Sequence, residues 1–344
     1  MNEVKPKLRL TVQNFELPLK NPFTISRYTV TVQKTVIVSI TDGIHVGYGE
    51  ATVNPYYNST IKSLKASVAS VLDTFETIDE GLYPEKLWQQ LQPKLSDNYF
   101  ALCAIDCAYW DLYAKQLQKP LRHFWNVTNK KLPKTNFTIG IDSIDVMKSK
   151  IQETPWPIYK IKLGTKNDLE IIQSLREITN ATFRVDANCA WTVEETLKNA
   201  ETLKKLNVEF IEQPLQAEDW KGMKTLKEKS VLPIIADESC LTLADVSKCT
   251  DFFHGINIKL MKCGGITPAL QMIQIAKAKN SKIMAGCMTE SSIGISNLTQ
   301  LASQLDYIDA DGALLLQNDI AKGVTFHNGE IRYAEGNGSG VILH

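Results

Sequence analysis

After Pro133 the sequence alternates between short β-rich runs and helical stretches, and this alternation constrains the fold more than any other feature. The runs are Asn136–Ile141, Ile158–Leu163, Thr182–Asp186, Val208–Glu212, Pro233–Ala236, Gly255–Lys259, Lys282–Ala285 and Tyr307–Asp309. Between them apolar residues recur at three- and four-residue steps, as in Asp168–Ile178, Val193–Leu206 and Pro268–Ala278, the spacing of one helix face. Strands joined in series by helices lie parallel, and eight such units favour closure of the sheet into a (β/α) barrel. The last helix of the series is weakly marked.

The first part of the chain has another texture. Leu8–Leu19 and Val30–Thr41 read as strands, and Asp42-Gly43 reads as a tight turn into Ile44–Glu50, a hairpin signal. Asn21 to Arg27 reads as a loop. Thr60–Phe75, Pro84–Gln92 and Asn98–Gln116 then carry helical periodicity. Strands followed by helices make an α+β unit. The division expected is 1–125 for this unit, 126–322 for the barrel and 323–344 for a tail. That tail, with a strand pair at Val324–Phe326 and Glu330–Tyr333, is expected to return to the N-terminal unit. The fold class is α/β.

Lys+Arg and Asp+Glu number 38 each, so no basic excess points to nucleic acid or an anionic membrane. Met1 to Leu10 lacks the apolar run of a signal peptide, and no segment has the length of a membrane helix. Seven cysteines are an odd number without a paired framework, and Cys103 and Cys107 read as core thiols. A reduced, cytoplasmic protein is expected; self-association into a homo-oligomer is compatible with the sequence. Gly336, Gly338 and Gly340 have no helix after them to hold a phosphate and read as a loop.

Polar residues stand where the barrel strands end, which is where such barrels carry their active sites. Lys160 and Lys162 end the second strand, Asp186 the third, Glu212 the fourth, Asp237 follows the fifth, and Lys259 ends the sixth. From Lys162 the steps are 24, 26, 25 and 22 residues, about one strand–helix unit each, so these groups converge on one pocket. A single acid at such a place is ordinarily a solvated loop residue or a helix cap. Three acids from successive strands form an all-oxygen site for a hard cation, Mg²⁺ before Zn²⁺. Lys160 and Lys162, at i and i+2, share one face of their strand. Taken alone they would be a solvated strand end. Their mutual repulsion favours loss of a proton from one, giving a base. With Lys259 on the opposite side of the acids, a substrate carboxylate at the cation would lie between two bases. Removing the neighbouring proton gives an enediolate that the cation stabilises, and return from the other face inverts the carbon.

The series Lys-x-Lys, Asp-Ala-Asn, Glu-Gln-Pro, Asp-Glu-Ser and Asn-Ile-Lys-Leu-Met-Lys resembles the muconate-lactonising subgroup of the enolase superfamily. Within it the chain is most similar to the dipeptide epimerases of the L-Ala-D/L-Glu type, over nearly its whole length. The pairing of a lysine base with Mg²⁺ is established for this superfamily. The resemblance implies a modified TIM (β/α) barrel with an N-terminal α+β capping domain completed by the C-terminal tail. It implies Asp186, Glu212 and Asp237 as ligands of Mg²⁺, Lys162 and Lys259 as the acid/base pair, and Lys160 as support for Lys162 and the bound carboxylate. At Asp186-Ala-Asn-Cys-Ala-Trp191 the chain departs from a common Gln-Gly before the Trp, with no catalytic consequence expected.

In Tyr307-Ile308-Asp309-Ala310-Asp311-Gly312 two acids at i and i+2 face the pocket mouth, suited to a positive group such as the α-ammonium of a dipeptide. The resemblance makes this Asp-x-Asp a mark of dipeptide epimerases. It also matches Thr138, Cys287, Met288 and Thr289 to substrate-contacting positions, and Arg27 to an arginine that meets a glutamate side chain. Arg27 could equally be structural or gate the site. The small-molecule substrate expected is thus a dipeptide, inverted at its C-terminal residue by Mg²⁺-dependent two-base proton transfer. Alternatives are an o-succinylbenzoate synthase, an N-acylamino-acid racemase or another activity of the subgroup. A ligand-binding barrel without catalysis would not need two bases and three metal ligands together.

Overall fold

The computed structural model describes residues 8–78, 81–125 and 130–344. The boundary expected at 125/126 and most of the charged N-terminal stretch therefore abut or fall on residues outside those described. The chain opens with an antiparallel meander of β1 (Arg9–Thr24), β2 (Thr29–Thr41) and β3 (Val46–Thr52). Asp42 Oδ1 accepts from the backbone N–H groups of Ile44 and His45 at the β2–β3 turn. The loop expected from Asn21 is shorter than read, because β1 runs on to Thr24. Its register with β2 slips between Pro18↔Val32 and Phe23↔Val30; proline has no N–H for the ladder, which favours such an irregularity. The turn proper is left to Ile25–Tyr28, with Arg27 at its tip.

The next helices are α1 (Ile61–Ala69), α2 (Leu72–Thr77), α3 (Pro84–Leu91) and α4 (Tyr99–Gln116). The single helix expected over Thr60–Phe75 is thus two. Ser70 Oγ donates to Ser67 O at 2.7 Å, a local bond that competes with helix continuation. Helix α4 has fourteen of its 18 residues buried, which marks a helix enclosed on all sides. On one side lies β3, where Gly47 and Gly49 permit backbone contact: a Cβ there would stand 2.0 Å from Ala108 O and Ala104 O. On the other side Trp110 Nε1 donates to Thr267 Oγ1 at 2.8 Å and Asp106 accepts from Thr267 N at 2.9 Å.

The barrel follows as β4 (Phe137–Ile139), α5 (Ile144–Glu153), β5 (Ile158–Lys162), α6 (Asp168–Arg176), β6 (Thr182–Asp186), α7 (Val193–Lys205), β7 (Val208–Glu212), α8 (Trp220–Lys229) and β8 (Ile234–Ala236). It continues with α9 (Val246–Phe252), β9 (Gly255–Ile258), α10 (Leu260–Cys263), α11 (Ile266–Ala278), β10 (Lys282–Gly286), α12 (Ser292–Thr299) and β11 (Tyr307–Asp309). The eight strands are parallel and lie in chain order. A parallel bridge between Thr135 and Ile308 joins the last strand to the segment before the first, and Ala310 N donates to Thr135 Oγ1 at 2.8 Å. The fold is a modified (β/α) barrel with an N-terminal α+β cap.

Helix α12 is weakly marked because its sequence, SIGISNLT, has glycine and β-branched residues and no polar face; all eight residues are buried. Its N-terminal N–H groups are satisfied from other elements, Glu50 accepting from the N–H groups of Ser291 and Gly294 and Asp319 from that of Ser292. Tertiary contacts override propensity here. After β11 comes one 3₁₀ turn, Gly312–Leu315, and then β12 (Ala321–Lys322), the hairpin β13 (Thr325–His327) with β14 (Glu330–Arg332), and β15 (Ile342–Leu343), which pairs with β12. Thr135 N donates to Gly329 O at 2.9 Å. Farther on, Ser339 N and Oγ donate to Asp111 Oδ1 of α4. Gly338 is required beside it: at φ +66° a Cβ would stand 2.1 Å from Asp111 Oδ1. Among the described residues no helix is long and apolar enough to cross a membrane.

Candidate active site

The parallel register carries the strand-end residues to one level. Lys162 is opposite Asp186, and Asp186 opposite Glu212. Asp186, Glu212 and Asp237 are at most 1% exposed, and each offers an oxygen within 4.8 Å of the others. Three buried carboxylates in contact repel one another, and only cations make such a cluster tolerable. Here lysines supply that charge. Lys162 Nζ is 2.6 Å from Asp186 Oδ2 and Lys259 Nζ 2.8 Å from Asp237 Oδ2. Lys160 Nζ lies among three carboxylates, 2.8 Å from Glu212 Oε2, 2.9 Å from Asp309 Oδ2 and 3.2 Å from Asp186 Oδ2. The all-oxygen donor set, buried and preassembled, fits a hard divalent cation.

The titration directions follow from this packing. Burial alone would lower Lys160, yet Asp309, Glu212 and Asp186 hold it well above the ordinary lysine range. Of the Lys-x-Lys pair, Lys160 is therefore the charged partner, because attraction to three acids outweighs repulsion and burial. Lys259 is likewise raised, burial being outweighed by Asp237. Asp237 is driven well below the usual carboxylate range by Lys259, Lys262 and Lys160, against its own burial. Asp186 is also lowered, burial again opposing, by Lys162 and Lys160. Glu212 is pushed up to about 7 by burial and the Asp186 charge, with Lys160 opposing.

Asp309, which Lys160 links directly to Glu212, and Asp311 are 3% and 2% exposed, so they are no solvated loop pair. Asp309 Oδ1 accepts from Asn136 Nδ2 at 2.7 Å. Asp311 Oδ2 accepts from the Thr138 backbone N–H, and Cys287 Sγ is 4.0 Å from its Oδ1. Burial and the Asp309 charge push Asp311 well above the carboxylate range. Asp309, despite burial, is lowered by Lys160 and Asn136. Met288 and Thr289 line the same cavity with Thr138 and Cys287. Arg27 reaches the far wall, where its guanidinium pairs with Glu238, donates to Asn188 O at 3.2 Å, and lies 4.2 Å from the centre of the Tyr56 ring. Every site residue read from the sequence borders this one cavity or the carboxylate cluster beneath it.

The N-terminal model of the mandelate racemase and muconate lactonizing enzymes matches residues 7–124, and the enolase C-terminal domain-like model matches residues 143–344. The chain belongs to this family of the enolase superfamily. An L-Ala-D/L-amino acid epimerase of Flavobacterium johnsoniae is 51% identical over 336 residues, spanning 98% of this chain and 100% of the relative. An L-Ala-D/L-Glu epimerase of Escherichia coli is 33% identical over 328 residues, spanning 93% of this chain and 99% of the relative. Among solved structures, the substrate-liganded L-Ala-D/L-Glu epimerase of Bacillus subtilis superposes with a TM-score of 0.92 at 28% identity, covering 97% of this chain and 98% of that one. The Enterococcus faecalis dipeptide epimerase complexed with Mg and L-Leu-L-Tyr gives 0.92 at 29%, covering 98% and 100%.

Several residues of this family site were given no role by the sequence reading. Lys262, three residues past Lys259 on α10, donates to Asp237 Oδ1 at 2.6 Å. Asn257, two residues before Lys259 on the same strand face, donates to Glu212 Oε1 at 2.8 Å. The period of each element holds that signal once Lys259 is fixed. Asn136 and Glu238 could not be found this way, because their partners Asp309 and Arg27 are 173 and 211 residues away.

Proposed function

We propose that this enzyme is a Mg²⁺-dependent dipeptide epimerase that inverts the α-carbon of the C-terminal residue. The observation that carries the reading is the placement of Lys162 and Lys259 on two different members of one carboxylate triad, with the buried Asp309 and Asp311 lining the same cavity. Asp186, Glu212 and Asp237 would hold the cation. A divalent cation bound there supplies positive charge to the substrate carboxylate and competes with Lys162 and Lys259 for Asp186 and Asp237, which lowers the cost of removing a proton from either lysine. A neutral Lys162 Nζ takes the α-proton, and the electron pair left on the carbon delocalises into the adjacent carboxylate as an enediolate. Lys259 Nζ then gives its proton to the opposite face of that carbon. In reverse the two exchange roles, and solvent restores their starting protonation.

Asp311 is the buried carboxyl at the mouth that has no cationic partner among the described residues. A dipeptide's α-ammonium supplies one. The name "dipeptide epimerase" borne by the relatives supports the same substrate class. An N-succinyl Arg/Lys racemase of Bacillus cereus is also similar, with a TM-score of 0.88 at 26% identity. Its type of substrate carries an acyl group in place of the ammonium. The discriminating experiment compares kcat/KM for free and N-acetylated dipeptides. The acetylated form gives up the attraction between ammonium and buried carboxyl, worth about 1.5–7 kcal/mol for close charge pairs, so it is expected to be poorer by at least an order of magnitude. Equal values would move the protein to the acylamino-acid racemases.

A further inference from the structure

We infer that Asp309 is a positioning residue that acts through Lys160, so that the two acids of Asp309-Ala310-Asp311 have separate tasks. Both oxygens of Asp309 are already engaged. Oδ2 is 2.9 Å from Lys160 Nζ, and Oδ1 accepts from Asn136 Nδ2 at 2.7 Å. Asn136 is itself fixed, since Arg184 Nη1 donates to its Oδ1 at 3.2 Å and to Ile308 O at 3.0 Å. Asp309 is therefore an oriented acceptor for a lysine on the other side of the barrel seam. Asp311 has no such lysine.

Lys160 is 1% exposed and meets three carboxylates, two of which, Asp186 and Glu212, belong to the triad. A divalent cation in the triad competes for those two and repels the ammonium. Asp309 is the one partner that the cation does not take. It offers Lys160 a partner outside the triad, 2.9 Å away, and keeps its charge balanced in a buried place, where an unpaired ammonium would be costly. Without Asp309, Lys160 would lean on Asp186 and Glu212 and oppose cation binding. This inference rests on the cation site proposed above and not on the choice of a dipeptide as substrate.

The test is a calorimetric Mg²⁺ titration of the full chain, stripped of metal, in wild type, Asp309→Asn, Asp311→Asn, Lys160→Met and the double variant Lys160→Met/Asp309→Asn. Asp309→Asn is expected to weaken Mg²⁺ binding on the order of tenfold, the scale of coupling between contacting groups. Asp311→Asn, at a carboxyl that makes no ion pair with Lys160, should leave it within about twofold. Lys160→Met should tighten binding, and in that background Asp309→Asn should have almost no effect. Equal weakening by both aspartate variants would separate the effect from the Asp309–Lys160 contact and overturn the inference, as would an undiminished Asp309→Asn effect in the double variant. Should Asp309→Asn fail to fold by circular dichroism, Asp309→Ser replaces it in the same cycle. Absence of Mg²⁺ binding in wild type would instead refute the cation site itself.

Discussion

Replacing either lysine of the acid/base pair should separate the two faces of the substrate carbon. The structure makes these substitutions clean. In Lys259→Met, Asp237 keeps Lys262 at 2.6 Å; in Lys162→Met, Asp186 keeps Lys160 at 3.2 Å. Neither variant leaves a triad carboxylate without an ammonium partner, so the loss falls on proton transfer and not on folding. A positioned acid or base contributes about 10²–10⁴ in rate, or about 2.7–5.4 kcal/mol at 1.36 kcal/mol per decade. Inversion needs both groups, so each variant should lose epimerisation by at least that factor. Each retains one base, however, and one base suffices to exchange the α-hydrogen of the epimer that faces it. With the two epimers of an L-alanyl dipeptide incubated separately in D₂O and Mg²⁺, Lys162→Met and Lys259→Met should each label one epimer, and opposite ones. Labelling of both epimers by either variant, or interconversion near the wild-type rate, would refute the two-base assignment.

Two further outcomes follow from side chains the chemistry does not consume. Glu238 partly neutralises Arg27, so Glu238→Gln should raise the kcat/KM ratio of L-Ala-L-Glu over L-Ala-L-Gln several-fold, the scale of about 1 kcal/mol for a pair whose arginine is partly exposed, whereas Arg27→Met should bring that ratio toward one; an unchanged ratio in both would remove Arg27 from the side-chain pocket. Burial pushes Asp106 up to about 7 against the hydrogen bonds from Thr267 and Ile266, above the unfolded value of about 3.9, so the folded state binds the extra proton. Its stabilisation is complete below about pH 4 and lost as pH rises through about 7. Thermal melts between pH 5 and 8.5 should therefore fall less steeply for Asp106→Asn than for wild type, and parallel curves would contradict this.

The barrel was legible because its strands are short, buried and closed by helices with a clear period, and because register then carries Lys162, Asp186 and Glu212 to one level. Cys103 and Cys107 were legible as core residues on the same grounds, each being 2% exposed in α4. Helix α12 was faint because its stability comes from Glu50 and Asp319 elsewhere in the chain. Which lysine of the Lys-x-Lys pair stays charged was not legible locally, because the groups that hold Lys160 charged are acids from three other strands. Long-range pairs such as Arg27 with Glu238, or Asn136 with Asp309, leave no local pattern. They become visible only when the strand ends are assembled.

The central claim is inversion of a dipeptide α-carbon that depends on the buried triad. The most direct measurement incubates the metal-stripped protein with a set of L,L, D,L and L,D dipeptides in D₂O, with Mg²⁺ or with excess chelator. Mass spectrometry reads deuterium uptake and chiral chromatography reads inversion. The account predicts one deuterium at the α-carbon of the C-terminal residue, accompanied by inversion, in the Mg²⁺ arm only. Asp186→Asn should abolish both even with Mg²⁺ present. Uptake and inversion that persist in chelator, with metal absence verified by elemental analysis, would contradict it.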